Sequence, residues 1–402
     1  MNLIPSLDRK ARPRSPFSLL GRGLGAAVLS IIVVSCGARS GLFGSEGNGG
    51  TFVEGGTPGA DVTVPPIDAP VDAPPDAVPC VPGRFDFELA VPQMMLVIDR
   101  SGSMANNLDS DQPAPDGSPS RWTTLRDALA IALLPVDGQL EIGAKFYPES
   151  LDDDPVAFTD GCLIDKGQFH ITPDKNNASK VLDVFATRKP QGGTPTAEAL
   201  TEGANILGKT RGVARTIVLA TDGAPNCNAS LNPRTCVCTA PNGCQPNQDR
   251  AAENCLDDQR TVSRASQIFN QEKIPVYVVG IGAEVNGAYK TTLDAIAVAG
   301  GRPRPGTTRY YSARSAAELA SAMTSIRDSV ASCTYLTPSA PTDPNAITVT
   351  AGGQTIPRDP THTNGWDWID QTFGQLQFFG AACDALANDA GTLTVSGVVM
   401  CK

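Results

Sequence analysis

Met94-Met95-Leu96-Val97-Ile98-Asp99-Arg100-Ser101-Gly102-Ser103-Met104 is the stretch that decides how this chain is read. An apolar run leads straight into Asp-x-Ser-x-Ser. A second apolar run, Thr216-Ile217-Val218-Leu219-Ala220, ends in Thr221-Asp222-Gly223, and between the two lies Gly192-Gly193-Thr194-Pro195. Carboxylate and hydroxyl oxygens are hard ligands, suited to Mg²⁺, Mn²⁺ or Ca²⁺ rather than to a metal that seeks thiolates. Alternation in Asp-x-Ser-x-Ser lets one tight turn aim several side chains inward, and Gly102 relaxes the backbone there. Taken alone, Asp99 could cap a helix and the two serines decorate a turn. Three such pieces, each at a strand or helix end, argue for a site.

Together the three pieces resemble the metal-ion-dependent adhesion site of a von Willebrand factor type A domain. The resemblance implies that Asp99, Ser101, Ser103, Thr194 and Asp222 hold one divalent cation, Mg²⁺ or else Mn²⁺ or Ca²⁺, at the carboxyl edge of a parallel sheet. It also implies a protein partner whose acidic residue completes the cation's shell. Thr194 would join that shell when the partner is engaged, while Ser101 and Ser103 contribute throughout.

Outward from these runs, strands are expected at Met94–Ile98, Glu141–Phe146, Thr216–Ala220 and Pro275–Ile281. Helices are expected near Arg121–Leu133, Asn177–Thr187, Thr194–Leu207, Asp258–Gln271, Lys290–Ala299 and Ser315–Ser332. Apolar strands alternating with amphipathic helices predict an α/β, doubly wound, mostly parallel sheet covered on both faces. Ligands of such sheets bind at the carboxyl ends of the strands, where Asp99 and Asp222 fall. This domain is expected over residues 85–333.

The N-terminus carries Arg9, Lys10, Arg12, Arg14 and Arg22, then an apolar stretch from Leu24 to Val34, then Ser35-Cys36-Gly37. A basic segment, a short apolar core and a small residue describe an export signal over residues 1–35. The apolar stretch is about half of the ~20 residues a spanning helix needs. Val33-Val34-Ser35-Cys36 resembles the lipobox of bacterial lipoproteins, which implies a lipid on Cys36. Gly37 after that cysteine leans toward the outer membrane of a Gram-negative envelope, by analogy with the sorting pattern of well-studied lipoproteins. Residues 36–84 are rich in Gly, then in Pro, Ala and Asp, and predict a disordered tether. As a random coil it would span roughly 35–40 Å.

Beyond Cys36, ten of the 11 cysteines remain: Cys80, Cys162, Cys227, Cys236, Cys238, Cys244, Cys255, Cys333, Cys383 and Cys401. An even set in an exported chain reads as disulfides of undetermined connectivity. A zinc cluster among the five between Cys227 and Cys255 is the competing reading, but paired Cys-x-x-Cys knuckles are missing there. That insertion, 227–255, should be a stapled loop beside the metal face, and so a determinant of partner choice. Two other loop-like insertions, Asn106–Ser120 and Tyr147–Asp174, carry Asp109, Asp111 and Asp116, and Asp152, Asp153 and Asp154. Without a repeated ligand spacing they read as solvated acidic loops rather than a second cation site.

After Cys333, Ala346–Thr350, Gln377–Gly380 and Thr392–Val399 read as strands of a small all-β appendage over residues 334–402. Gly365-Trp366-Asp367-Trp368 could be a carbohydrate-stacking platform, but such tryptophans more often fill the core of a small β domain.

A formal charge of −10 offers no basic patch for nucleic acid. His170 and His362 supply no acid–base pair beside a nucleophile, and Gly-x-Ser-x-Gly and phosphate-loop motifs are missing, so a non-enzymatic reading is favoured over a hydrolase. The expected role is a lipid-anchored envelope protein that binds a protein partner through its cation, or an envelope assembly scaffold using the same site.

Overall fold

The computed structural model describes residues 77–149, 161–164, 170–208, 213–240, 242–282, 287–389 and 393–401. The export signal, Cys36, most of the tether and the run Asp152-Asp153-Asp154 lie outside the described residues. Strands β1 (Gly83–Asp86) and β2 (Glu88–Leu89) come first, then β3 (Gln93–Asp99), α1 (Arg121–Leu133), β4 (Glu141–Tyr147), β5 (His170–Asp174), α2 (Ala178–Thr187) and α3 (Thr196–Leu207). They are followed by β6 (Arg215–Thr221), α4 (Asp258–Asn270), β7 (Val276–Ile281), α5 (Gly287–Ala299), β8 (Tyr311–Ala313) and α6 (Ala316–Ser332). The chain continues through β9 (Thr334–Leu336), β10 (Ile347–Ala351), β11 (Gln354–Ile356), β12 (Gly365–Asp370), β13 (Gln375–Phe379), α7 (Ala381–Asn388) and β14 (Val395–Val399).

Six strands form one sheet in the order β5-β4-β3-β6-β7-β8. All pairings are parallel except the edge strand β5, which runs antiparallel to β4. Strand β3 is buried on both faces, which explains its unbroken apolar run. Met94, Leu96 and Ile98 point to the side covered by α1, α2 and α6, where Trp122, Leu125, Phe185, Met323 and Ile326 meet them. Met95 and Val97 point to the other side, against Leu200, Ala204 and the residues of α4 and α5 such as Ile268 and Ile296. From β3 the chain moves outward to β4 and β5, then returns to β6 and continues the opposite way. The order therefore reverses between β3 and β6, and loops after these two strands part to leave a crevice at their carboxyl ends. This is the α/β, doubly wound architecture with a mostly parallel sheet that the sequence predicts.

The remaining strands form two four-stranded antiparallel sheets, β1-β14-β10-β11 and β12-β13-β9-β2. They share a core of Phe87, Tyr335, Ile347, Val349, Trp366, Trp368, Leu376, Phe378 and Val395. Two differences from the sequence expectation stand out. The tether does not run to residue 84: β1 pairs with β14 from Gly83 onward, β2 pairs with β9, and Cys80 is bonded to Cys401. The α/β domain is thus inserted between β2 and β9 of a β unit built from both flanks. These short strands escape detection because their partners lie 246–248 residues away for β2 and 310–316 for β1, and the pattern around them is set by Gly and Pro. The second difference is α7, a helix among the strands, whose Cys383 is bonded to Cys333 at the end of α6. Trp366 and Trp368 are buried and their indole N–H groups donate to the carbonyls of Ile356 and Pro344, so they fill the core and form no exposed platform.

Candidate metal centre

Each expected ligand is placed by a strand end or by the loop before a helix. Asp99 ends β3, and Ser101 and Ser103 follow in a short 3-10 turn. Asp222 directly follows β6, and Thr194 stands two residues before α3. Ser101 Oγ and Ser103 Oγ lie 3.0 Å apart, and Ser103 Oγ donates to Asp222 Oδ1 at 2.8 Å. Asp99 sits beneath them, fully buried, accepting from Ser101 N–H at 2.7 Å and from Thr221 Oγ1 at 2.5 Å. Ser101, Ser103, Thr194 and Asp222 line one cleft of about 930 Å³. The structure thus brings four of the five to a common space, and buries Asp99 behind them, bonded to Ser101 N–H and Thr221 Oγ1.

Two buried carboxylates side by side are electrostatically costly. Burial and the neighbouring Asp222 push the Asp99 carboxyl up to about 7. Burial raises Asp222 as well, though Arg121 and the Ser103 hydroxyl oppose that rise. A donor set of two carboxylates and hydroxyl oxygens, with a carboxylate burdened in this way, fits a hard divalent cation, whose charge would relieve the repulsion.

Sequence reasoning missed two residues of this site. Arg121, the first residue of α1, is almost wholly buried and donates from Nη1 to Asp222 Oδ2 at 2.7 Å. Its other nitrogens hold the 106–120 insertion, donating to Asn107 O at 3.0 Å, Ser110 O at 3.2 Å and Asp111 Oδ1 at 2.6 Å. A cation at a helix N-terminus opposes the helix dipole, which was the available signal. The second is Asn226, whose side-chain oxygen accepts from Thr194 N–H at 2.7 Å and whose amide donates to Thr239 Oγ1 at 3.0 Å.

One wall of the cleft belongs to the 227–255 insertion, through Cys238, Thr239, Ala240, Asn242, Glu253 and Asn254. Disulfides Cys236–Cys255 and Cys238–Cys244 staple it, and Cys162–Cys227 ties it to the segment beside Gly193. The approach there is close: a Cβ on Gly193 would stand 2.7 Å from Cys227 Sγ, so only glycine fits. Sulfurs of Cys236, Cys244 and Cys255 lie within 4.8 Å of one another, but all three are spent in disulfides and offer no thiolate, which removes the zinc reading. Among the described residues, all ten cysteines outside the N-terminal segment are paired.

No family model matches the chain, and no curated protein matches it. Among solved structures it is similar to the PilB minor pilin of Streptococcus sanguinis, with 19% identity over 60% of this chain and 61% of that one, TM-score 0.40. It is similar to the pilus adhesin SpaC of Lactobacillus rhamnosus GG, with 16% identity over 79% of this chain and 41% of that one, TM-score 0.41. A third is the vWF domain of the type V pili tip protein Mfa5 of Porphyromonas gingivalis, with 14% identity over 60% and 96% of the two chains, TM-score 0.38. The chain therefore spans less than two thirds of the pilin and of the adhesin. Among the described residues, no helix is long and apolar enough to cross a membrane.

Proposed function

We propose that this protein is a non-enzymatic, exported binding protein that captures a protein partner through a divalent cation. The observation that carries the reading is the convergence of Ser101, Ser103, Thr194 and Asp222 in one cleft at the switch point of the sheet, with Asp99 buried behind Ser101 and bonded to its N–H. Mg²⁺ or Mn²⁺ held there would keep a coordination position toward the cleft, and an acidic side chain of the partner would fill it. Thr194 lines the same cleft and would join the shell at that moment.

Five disulfides support an oxidising location. With the basic N-terminal segment and Cys36, they favour export followed by lipid anchoring, in a Gram-negative cell at the outer membrane. An envelope assembly scaffold uses the same site and differs only in its partner.

The experiment is a pulldown from envelope extract with the purified protein in Mg²⁺, in EDTA, and in EDTA followed by restored Mg²⁺. Capture should be lost and regained. Capture that survives EDTA undiminished would sink the reading.

A further inference from the structure

Arg121 has no role in the ligand set proposed above, yet it is the most heavily committed side chain around it. Its guanidinium is almost wholly buried and forms an ion pair with Asp222 at 2.7 Å, one carboxylate away from the Ser103 hydroxyl. Its backbone position is unfavourable for a cation, since the N-terminus of α1 carries positive partial charge. Helix capping does not require it either: Ser120 and Thr123 already form a reciprocal capping box. Something other than helix stability accounts for an arginine there.

We propose that Arg121 is a built-in counter-cation that sets the charge of the metal centre. The inference rests on the reading of the site as a divalent-cation site. Asp99 and Asp222 together would neutralise a doubly charged ion. Arg121 takes up one of those charges, so two carboxylates less one guanidinium leave one net negative charge for the ion. Asp111 also pairs with Arg121, but its side chain is 71% exposed and screened by solvent. The bound cation is thereby left positive in a buried setting, and an incoming carboxylate restores neutrality. Arg121 thus makes cation and carboxylate bind cooperatively: the ion alone is held weakly, and the acidic ligand raises its affinity, as it raises the ligand's. Acting through Asp222 and through its field, Arg121 is a positioning residue and does not touch the ion.

The sign of the effect separates this role from a structural one. Losing a merely structural arginine loosens Asp222 and weakens metal binding. Losing a competing charge strengthens it. The test is a Mn²⁺ titration of the full-length purified protein, with free Mn²⁺ read by electron paramagnetic resonance, for wild type, Arg121→Gln and Arg121→Lys. Arg121→Gln should bind Mn²⁺ more tightly than wild type, on the order of ten-fold. Arg121→Lys keeps the charge and should stay within about three-fold of wild type by the same Coulomb argument. Should the glutamine variant need the ion to fold, refolding in Mn²⁺ and back-titration with EDTA give the same number. Equal or weaker Mn²⁺ binding by Arg121→Gln, or its failure to fold with and without Mn²⁺, overturns the proposal while wild-type uptake leaves the cation site standing. Uptake by Arg121→Gln alone supports it. Uptake by neither overturns the cation site, and this inference with it.

Discussion

Thr194 and Asn226 hold each other at two points, although 32 residues separate them. Thr194 N–H donates to Asn226 Oδ1 at 2.7 Å, and Asn226 N–H donates to Thr194 O at 2.9 Å. The pair joins the loop before α3 to the start of the disulfide-rich insertion, so the wall of the cleft and the threonine move as one piece. Cys162–Cys227 and the bond from Gly193 N–H to Gly161 O brace the same junction.

Asn226→Ala leaves Thr194 N–H buried without its acceptor, at a cost of about 1–3 kcal/mol. The expected outcome is a melting temperature lower by several degrees and a Mn²⁺ affinity changed much less, since Asp99, Ser101, Ser103 and Asp222 keep their own bonds. Calorimetry on the purified variant checks both. An unchanged melting temperature would show that the insertion is held without this clamp.

If the cleft holds a divalent cation as proposed, its uptake depends on the buried carboxylates of Asp99 and Asp222. Asp99→Ala and Asp222→Ala should each abolish the single binding event that isothermal titration with Mg²⁺ or Mn²⁺ detects in wild type. Affinity in wild type should be modest without a partner, because waters complete the shell. Thr194→Ala should retain most of the metal uptake and lose partner capture, by roughly ten- to several-hundred-fold if one charge-assisted contact goes. Retained uptake in both aspartate variants removes the site assignment.

Much of this architecture was legible in the sequence, and the reasons are local. β3, β4, β6 and β7 read clearly because buried parallel strands are continuous apolar runs. β5, His-Ile-Thr-Pro-Asp, is a polar edge strand with no such run. β1 and β2 owe their structure to β14 and β9 rather than to their own residues. At the site, the spacing of Asp99, Ser101 and Ser103 is a local pattern, and so visible. Arg121 and Asn226 act across 101 and 32 residues respectively, distances over which no periodicity survives.

The β unit should be the acid-sensitive part of the molecule. Asp359 accepts from Thr361 N–H, Thr361 Oγ1, Thr363 N–H and Asn364 N–H, which hold its carboxyl well below the usual range. Asp367 is also lowered: burial alone would raise it, but bonds from His362 and Arg358 outweigh that. A depressed folded-state pKa stabilises the fold above the unfolded value, about 4, and that stabilisation is lost as pH falls toward the folded value. Denaturation followed by the fluorescence of Trp366 and Trp368, in a Trp122→Phe background that silences the third tryptophan, should therefore show stability falling below about pH 4. Asp359→Asn should flatten that fall, and an unaltered pH profile in this variant would count against the turn as its source.

The last prediction concerns the bond that closes the β unit. Cys80–Cys401 joins residues 321 apart, next to β1 and β14, the two strands contributed by opposite ends of the described chain. Without it, β1 keeps its edge pairing with β14, the Arg84 bond to Ser396 and the Val81 bonds to Ser339, but a short edge strand has little independent stability. Cys80→Ser with Cys401→Ser should destabilise the unit by roughly 2–5 kcal/mol, seen as a lower denaturant midpoint in Trp366 and Trp368 emission. The cleft lies at the far end of β3 and is braced by separate disulfides, so under the proposed reading Mn²⁺ affinity should be unchanged under native conditions. Loss of Mn²⁺ binding in this double variant would mean that the β unit and the cleft are coupled through the α/β domain. An unchanged midpoint would mean that the pairing of β1 with β14 and the bonds around Val81 and Arg84 suffice without the disulfide.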